Sequence, residues 1–556
     1  MNKADKYMFE AIGEILFNGY RDVNPRPHYA DGTPAHTYSI NHVFRTYDLS
    51  QGEFPICTLR PIAWKTAIKE IMAIYQNQSN KISEFERLGC GWWKDWALED
   101  GTIGKAYPYN LESHRPNEMK KMVKKVARRI IDPSCGLPVP VKTFPEQQCE
   151  DDTIYLNRYK VIGVDKEKSA HSRQKYYKIQ FISNNFVSSI RKDTIGKSNG
   201  TNPYDRTVYG IGYLGEYKTV NNFTEDELEI LKDKWENMMR RSYSKAYKDS
   251  HDTYDDVFVH SEWHSFEQFL RDIREIPQYF LAKEDNFKGW DLDKDYYGSN
   301  AYSKNTCVFL KHQENSLYAD TSGCYEILDK ETNKKFYEIN ISDFAKTIGS
   351  RQSSVQRGIS TSGKFKNFTF TFLPNTSDYV YRYELSRNQI VELIKDIQTN
   401  PYGRRHIISF WHWANIDKKS LVECAYETIW NVRNTNGKEY LDMMMVQRSG
   451  DMLMASGPGG VNEVQYAALL MMIARHTKLE PGVFTHVVAN EQIYTRHFEA
   501  AAEMRNRYHS NFTKVENKSK LILADNKTNF YDIAIDDFTM LNYEPIKPQL
   551  KLEIGI

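Results

Sequence analysis

Cys424 stands in Ser420-Leu421-Val422-Glu423-Cys424-Ala425-Tyr426, after the pair Arg404-Arg405 and before the run Gln447-Arg448-Ser449-Gly450-Asp451. A thiol in a chain with no other nucleophile motif is a candidate for covalent catalysis. Guanidinium groups grip phosphate with paired N–H donors, so Arg404, Arg405 and Arg448 around that thiol point to a phosphorylated small molecule as the partner under attack. Single thiols are otherwise buried structural residues. The ordered arginines argue against that reading here.

The elements that must carry these residues can be read from hydrophobic spacing. Apolar residues recur at helical intervals over 5–17, 67–75 and 384–397, the last closed by Thr399-Asn400-Pro401. Stretches 406–411 and 440–447 read as strands, and 464–476 is apolar nearly all round, as a buried helix would be. Met452 and Met454 read as core filler. The fold class is therefore α/β (α+β).

Basic and acidic side chains nearly cancel, 74 against 73, so no charge excess over the whole chain advertises a polyanion partner. Seven scattered cysteines without metal-ligand spacing favour a reducing, cytoplasmic setting over secretion. Met1-Asn2-Lys3-Ala4-Asp5 does not read as a signal peptide, and no apolar run reaches the roughly 18 residues of a membrane span. Between about 140 and 378 the texture changes to Lys, Asn, Ser and Tyr. Gly136-Leu137-Pro138-Val139-Pro140 and Pro374-Asn375-Thr376-Ser377-Asp378 read as junctions. The expected organisation is a first part over 1–139, an inserted domain over 140–378 and a last part over 379–556, since surface loops tolerate insertion.

The ordered set around Cys424 resembles the thymidylate synthase and deoxypyrimidine hydroxymethylase family. The likeness extends to Asn400-Pro401-Tyr402-Gly403-Arg404-Arg405, to Asn462 with Tyr466-Ala467, and to Glu491-Gln492-Ile493-Tyr494. It continues in Trp64-Lys65-Thr66-Ala67-Ile68-Lys69-Glu70, in Trp93-Lys94-Asp95-Trp96 through Tyr107, and in the tail from Asp537-Phe538 through Tyr543 to Ile556. The resemblance implies a three-layer fold and a homodimer. It implies transfer of a one-carbon unit from 5,10-methylenetetrahydrofolate to C5 of dUMP. On this reading Cys424, Glu70, Asp451 and Tyr107 are catalytic, with Cys424 adding to C6, Arg448 favouring its thiolate and Glu70 managing protons through water. Arg404, Arg405, Arg448 and Ser449 would hold the phosphate. Gln447, Asn462 and Gln492 would contact the nucleotide, Asn462 matching uracil O4 and N3–H, and Tyr494 its 3′-hydroxyl. Trp93, Trp96 and Asp451 would meet the folate. The family's proline and histidine beside the cysteine are here Glu423 and Ala425, its sugar-binding histidine is Gln492, and the Gly-rich run before Asn462 is longer. An arginine expected before Asp31-Gly32-Thr33 has only Arg26 as a substitute. Loss of the histidine favours water as the final acceptor, giving 5-hydroxymethyl-dUMP, with thymidylate as the alternative product.

The insert resembles phage-type HNH homing nucleases through Val208-Tyr209-Gly210-Ile211-Gly212-Tyr213-Leu214-Gly215, Trp263-His264-Ser265-Phe266, Leu292-Asp293-Lys294-Asp295 and Tyr302-Ser303-Lys304-Asn305. That likeness implies a phage protein working in the bacterial cytoplasm. It also implies a ββα site with Asp293 and Asn315 on a divalent metal, although the usual histidine base is replaced by Asp293 or Lys294. Residues 339–359 read as helix-turn-helix, presenting Arg351, Gln352 and Ser353 to duplex DNA. Three classes stay open: a one-carbon transferase, a DNA-binding or nicking protein, and a non-catalytic pyrimidine-nucleotide binder.

Overall fold

Asn2 starts the first helix, Lys3–Asn18, with a reciprocal cap: its side chain accepts from the Asp5 amide while the Asp5 carboxylate accepts from the Asn2 amide. Asp5 is buried and also takes the Thr58 amide and hydroxyl at 2.6 and 2.7 Å, so the cap pins the helix to the 54–60 segment. In this computed structural model the described residues are 2–25, 27–112, 120–124, 130–150, 152–312, 315, 324–338, 341–373, 379–383, 385–511, 518–553 and 555. The chain divides into two compact units, Met1–Met119 with Glu384–Ile556, and Lys120–Tyr383.

The first unit is built on a mixed sheet ordered Tyr20–Arg21, Thr37–Asp48, Glu480–Tyr494, Lys438–Gln447, Ala425–Thr435, Ile407–Ser409. Glu480–Tyr494 runs parallel to Lys438–Gln447, and the other pairs along that order are antiparallel. The helix Val461–Thr477 packs on the sheet and on Trp64–Met72. From Glu463 through Leu470 every residue of that helix is buried, the first part of the stretch 464–476 read as nearly all apolar, with Glu463 and Gln465 as buried polar residues and Met471, Arg475 and His476 half-buried. Trp64–Met72 passes into a wider turn, Ala73–Asn77, and Gln389–Thr399 begins later than its apolar spacing suggests because Asn388 caps it. Met452 is buried and Met454 half-buried.

The Gly-rich run before Asn462 has a steric cause. Gly459 takes φ +63, and a Cβ there would sit 2.2 Å from the Cys57 amide nitrogen. Its carbonyl accepts from that same amide at 2.9 Å, and its own amide donates to Glu463 Oε2 at 2.6 Å. Only glycine fits so close an approach in a left-handed turn.

The second unit closes on itself through the antiparallel pair Lys120–Lys124 with Tyr379–Tyr383. This pairing puts its limits outside the 140 and 378 read from composition, because backbone pairing leaves no signature in residue texture. The junction at 374–378 and Arg26 lie outside the described residues. Within this unit Tyr159–Asp165, Tyr176–Phe181 and Val187–Arg191 form a three-stranded sheet. Trp290–Asp293 pairs with Val308–Lys311 as a hairpin. Helices Ile341–Thr347 and Gln352–Ser362, joined through Gly349 at φ +60, pack by Phe344, Ala345 and Val355 on a sheet bearing Ile327 and Phe370.

Candidate active site

Strand register sets the first half of the site. Ala425 pairs with Gln447, with a bulge before Glu427, so the preceding Cys424 and the following Arg448 fall opposite each other where the two strands part. The Arg448 amide donates to the Cys424 carbonyl at 2.9 Å, and Arg448 Nη2 lies 3.7 Å from Cys424 Sγ. Two carbonyls fix that guanidinium: Nε donates to Glu423 O at 2.9 Å and Nη2 to Val422 O at 2.8 Å. Cys424 is half-buried, and its amide donates to the Tyr107 hydroxyl at 3.1 Å.

Glu423, where the family resemblance expects proline, is wholly buried and saturated. It accepts from the Tyr107 amide at 2.8 Å, Asn110 Nδ2 at 3.1 Å and Lys419 Nζ at 2.6 Å, and the Lys419 side chain is itself fully buried. Tyr107 adopts φ +37, a strained conformation for a non-glycine residue, and this carboxylate holds its amide. Lys419 was missed in the sequence, although its spacing of four from Glu423 was there to be seen.

The second half gathers on two helices. Glu70 is 9% exposed, and its oxygens accept from Trp93 Nε1 at 3.0 Å and Gln465 Nε2 at 2.8 Å. Burial pushes the Glu70 carboxyl up to about 7, against the lowering effect of the Trp93, Gln465 and Trp92 donors. Gln465 Oε1 accepts from Asn462 Nδ2 at 2.9 Å, and Asn462 Oδ1 lies 3.5 Å from Gln447 Nε2. Behind Gln447, His486 bridges Gln447 Oε1 at 3.0 Å and Glu463 Oε1 at 2.9 Å. Arg45 pairs with Glu491 and approaches Glu463 at 4.0 Å, all of them buried. Trp93 meets the Tyr107 ring at 5.9 Å, and Tyr466 is close enough to feel the charges of Glu70, Glu423 and Cys424. The two halves thus form one site.

A family profile described as thymidylate synthase matches residues 6–133 and 267–556, well over half of the chain. The chain belongs to the thymidylate synthase family. Thymidylate synthases of Streptococcus pneumoniae and Streptococcus agalactiae are 40% identical to it over 169 and 171 residues, in each case 30% of this chain and 58% of the relative. The chain thus spans little more than half the length of these curated relatives. Thermostable thymidylate synthase A from Bacillus subtilis aligns over 100% of this chain and 99% of its own at 18% identity and a TM-score of 0.45, too loose a likeness to argue from.

The remaining residues of this thymidylate synthase family chain fall in several places. Asp451 ends the short strand Gly450–Asp451, pairing in parallel with Gln492, caps the next turn by accepting from the Met454 amide at 3.2 Å, and lies 3.9 Å from His497 Nδ1. Burial raises its carboxyl, while His497, the Met454 amide and Arg60 pull it down. Ser449 offers its carbonyl to Gln447 Nε2 at 3.0 Å, and Gln492 lies half-buried in its strand. Tyr494 is buried against Tyr29 and His497. The tail docks on this edge: Tyr543 accepts from the Ile62 amide at 2.7 Å, and the Glu553 carbonyl meets His497 Nε2 at 2.7 Å. Trp96 is half-exposed beside Trp93, whereas Arg404 and Arg405 are exposed on the turn before Ile407–Ser409. Gln465, His486, Glu463 and Arg45 were missed in the sequence. Only the spacing of three between Asn462 and Gln465 on one helix face signalled any of them.

In the second unit Arg351, Gln352 and Ser353 are exposed at the start of the helix Gln352–Ser362. The expected metal pair does not meet as read. Asn315 Nδ2 donates to Asp291 Oδ2 at 3.2 Å, which also pairs with His312 Nδ1 at 2.9 Å, whereas Asp293 Oδ1 takes the Tyr296 amide at 2.7 Å. Among the described residues no group of three or more His, Cys, Asp or Glu is placed to hold a metal ion. No helix is long and apolar enough to cross a membrane, again among the described residues.

Proposed function

We propose that the first unit transfers a one-carbon unit to C5 of dUMP, with Cys424 as the nucleophile. The observation that carries this reading is the Arg448 guanidinium fixed 3.7 Å from Cys424 Sγ, while Glu70, its carboxyl pushed up to about 7 by burial, is linked through Gln465 and Asn462 to Gln447, the neighbour of Arg448. The thiolate adds to C6, which makes C5 nucleophilic. Glu70 holds and returns a proton at O4 through water and assists loss of the C5 proton. Asn462 reads uracil, and Arg448 with Ser449 takes the phosphate side. Trp93 and Trp96 offer flat faces and Asp451 a buried carboxylate, a donor set that fits a reduced folate's pterin ring. That folate supplies the one-carbon unit and, where thymidylate forms, the hydride.

The product we assign is 5-hydroxymethyl-dUMP, because Ala425 has no polar side chain at the position where the family has histidine. A second reading, thymidylate, is favoured by Trp93, which is 4% exposed and tied by its indole N–H to Glu70, so that it walls the site against water. Incubation with dUMP and methylenetetrahydrofolate separates the two readings. The first gives labelled oxygen from water in the product and little near-ultraviolet change. One equivalent of dihydrofolate per methylated nucleotide establishes the second.

The exposed Arg404 and Arg405 suit a homodimer in which they complete the partner's phosphate site. The half-exposed apolar side chains of the sheet, with Phe44 64% and Ile407 43% exposed, suit a second copy. Equilibrium sedimentation and loss of dUMP affinity in Arg405→Ala test this. For the second unit we assign duplex DNA binding through Arg351, Gln352 and Ser353. Arg351→Ala in the full chain should relax site preference, with retention that falls steeply as salt rises. No retention at low salt would refute it.

A further inference from the structure

The polar groups linking His486 to Glu70 all donate in one direction. The Ser449 carbonyl can only accept, so the Gln447 atom 3.0 Å from it is the NH2, and Gln447 Oε1 faces His486 Nε2. The Gln447 NH2 then points at Asn462 Oδ1, leaving the Asn462 NH2 to donate to Gln465 Oε1 at 2.9 Å. Gln465 in turn donates to Glu70 Oε2 at 2.8 Å. Read from the other end the result is the same. Trp93 Nε1–H is donor-only and occupies Glu70 Oε1, so an ionised Glu70 requires the Gln465 NH2 at Oε2, and every amide upstream follows.

In this relay Asn462 keeps both a donor and an acceptor free. Asn462 retains one lone pair on Oδ1 and one hydrogen on Nδ2, which match uracil N3–H and O4. Cytosine, with a bare N3 and an amino group, needs the amide reversed. Reversal would face the Asn462 NH2 toward the Gln447 NH2 and its oxygen toward Gln465 Oε1. A proton on Glu70 Oε2 pushes the same way, since Gln465 would then have to accept. We infer that Gln465 is a positioning residue that couples base selection to proton handling, holding Asn462 in the uracil-matching orientation while Glu70 accepts its hydrogen bond. The inference rests on the proposed reaction with a uracil nucleotide.

Other titratable groups facing Glu70 are the Cys90 thiol and the Tyr466 hydroxyl. Burial pushes the first up to about 12 and the second higher, so neither titrates with Glu70. The donor from Gln465 lowers the Glu70 carboxyl, so its removal should move that group further above 7.

Two variants at this position divide the coupling. Gln465→Met removes both hydrogen bonds at similar volume. Gln465→Glu keeps an acceptor for the Asn462 NH2 but sets a second carboxyl against Glu70. The readouts are the dUMP-to-dCMP ratio of dissociation constants and the midpoint of the kcat–pH profile. In Gln465→Met the ratio should fall by about tenfold and the midpoint rise by about one pH unit, the scale of one hydrogen bond to a charged group. In Gln465→Glu the midpoint should rise while the ratio holds. If Gln465→Met does not fold, Gln465→Glu decides alone: an unmoved midpoint or a collapsed ratio overturns the inference. In a folded Gln465→Met, movement of only one readout, or of neither, overturns it too. Wild-type protein that neither prefers dUMP nor turns it over refutes the reaction itself, and the inference with it. A wild type that does both, with unresponsive variants, refutes the inference only.

Discussion

Around Cys424 position is set by charge. The buried Lys419–Glu423 pair fixes the Tyr107 amide, Tyr107 takes the Cys424 amide, and Arg448 lies over the sulfur. Around Glu70 it is set by neutral donors, an indole and a run of amides, with Arg45, Glu463, His486 and Glu491 kept behind Gln447. The difference follows from what each half must do. A nucleophile needs a permanent positive neighbour, which only a group that never titrates supplies. A proton carrier must change charge during turnover, so neighbours that tolerate both states suit it better than a fixed counter-ion.

The largest effect should come from the charged half. Cys424→Ser should abolish turnover while leaving dUMP binding within about tenfold, since covalent attack and phosphate recognition use different groups. Normal turnover by the serine variant, measured with single-turnover product analysis, would remove Cys424 from its role.

Next comes the pair beneath it. Lys419→Met leaves the Glu423 carboxylate buried without its counter-ion and should cost about 3–5 kcal/mol in unfolding free energy. Lys419→Met combined with Glu423→Gln should recover much of that, since an amide oxygen still accepts from the Tyr107 amide. Denaturant unfolding of the single and double variants gives the coupling, and additive losses would show that the pair does not act as a unit.

The neutral half should instead reveal itself through pH. Glu70 titrates at about 7 in the folded protein against an ordinary 4.5, so between those values the folded state binds more protons than the unfolded one. Its contribution is therefore fully present below pH 4.5 and lost as pH rises toward 7. Glu70→Gln should lose less stability than wild type across that window, by about 3 kcal/mol at most. Parallel stability curves for the two proteins would show that Glu70 is not desolvated.

These halves differed in how plainly the sequence exposed them. Cys424 and Arg448 stood out by type and order, Asn462, Glu70 and Trp93 only through the family resemblance, and the structure brings them together. Their supports did not stand out. Glu423 and Lys419 look like surface residues until strand register buries them, and Gln465 looks like any polar helix residue until Glu70 arrives from a distant helix. Helices and strands followed from periodicity, whereas the ends of the second unit depend on Lys120–Lys124 finding Tyr379–Tyr383, a pairing across the length of that unit.

The smallest effect is the most selective. Asn462→Asp puts a carboxylate where the amide relay expects both a donor and an acceptor. Toward the site it can only accept, which suits the cytosine amino group and leaves uracil O4 without its donor. The loss for dUMP should be about 1–3 kcal/mol, with dCMP gaining, read as kcat/KM for each nucleotide. The relay adds a condition that recognition by Asn462 alone would not. The ionised carboxylate of this variant cannot donate to Gln465 Oε1, so Gln465 becomes free to reverse and its bond to Glu70 weakens. The switch toward dCMP should therefore be accompanied by an upward move in the kcat–pH midpoint, although the substituted side chain does not touch Glu70. A base switch with an unmoved midpoint would confine Asn462 to recognition and separate the two halves of the relay.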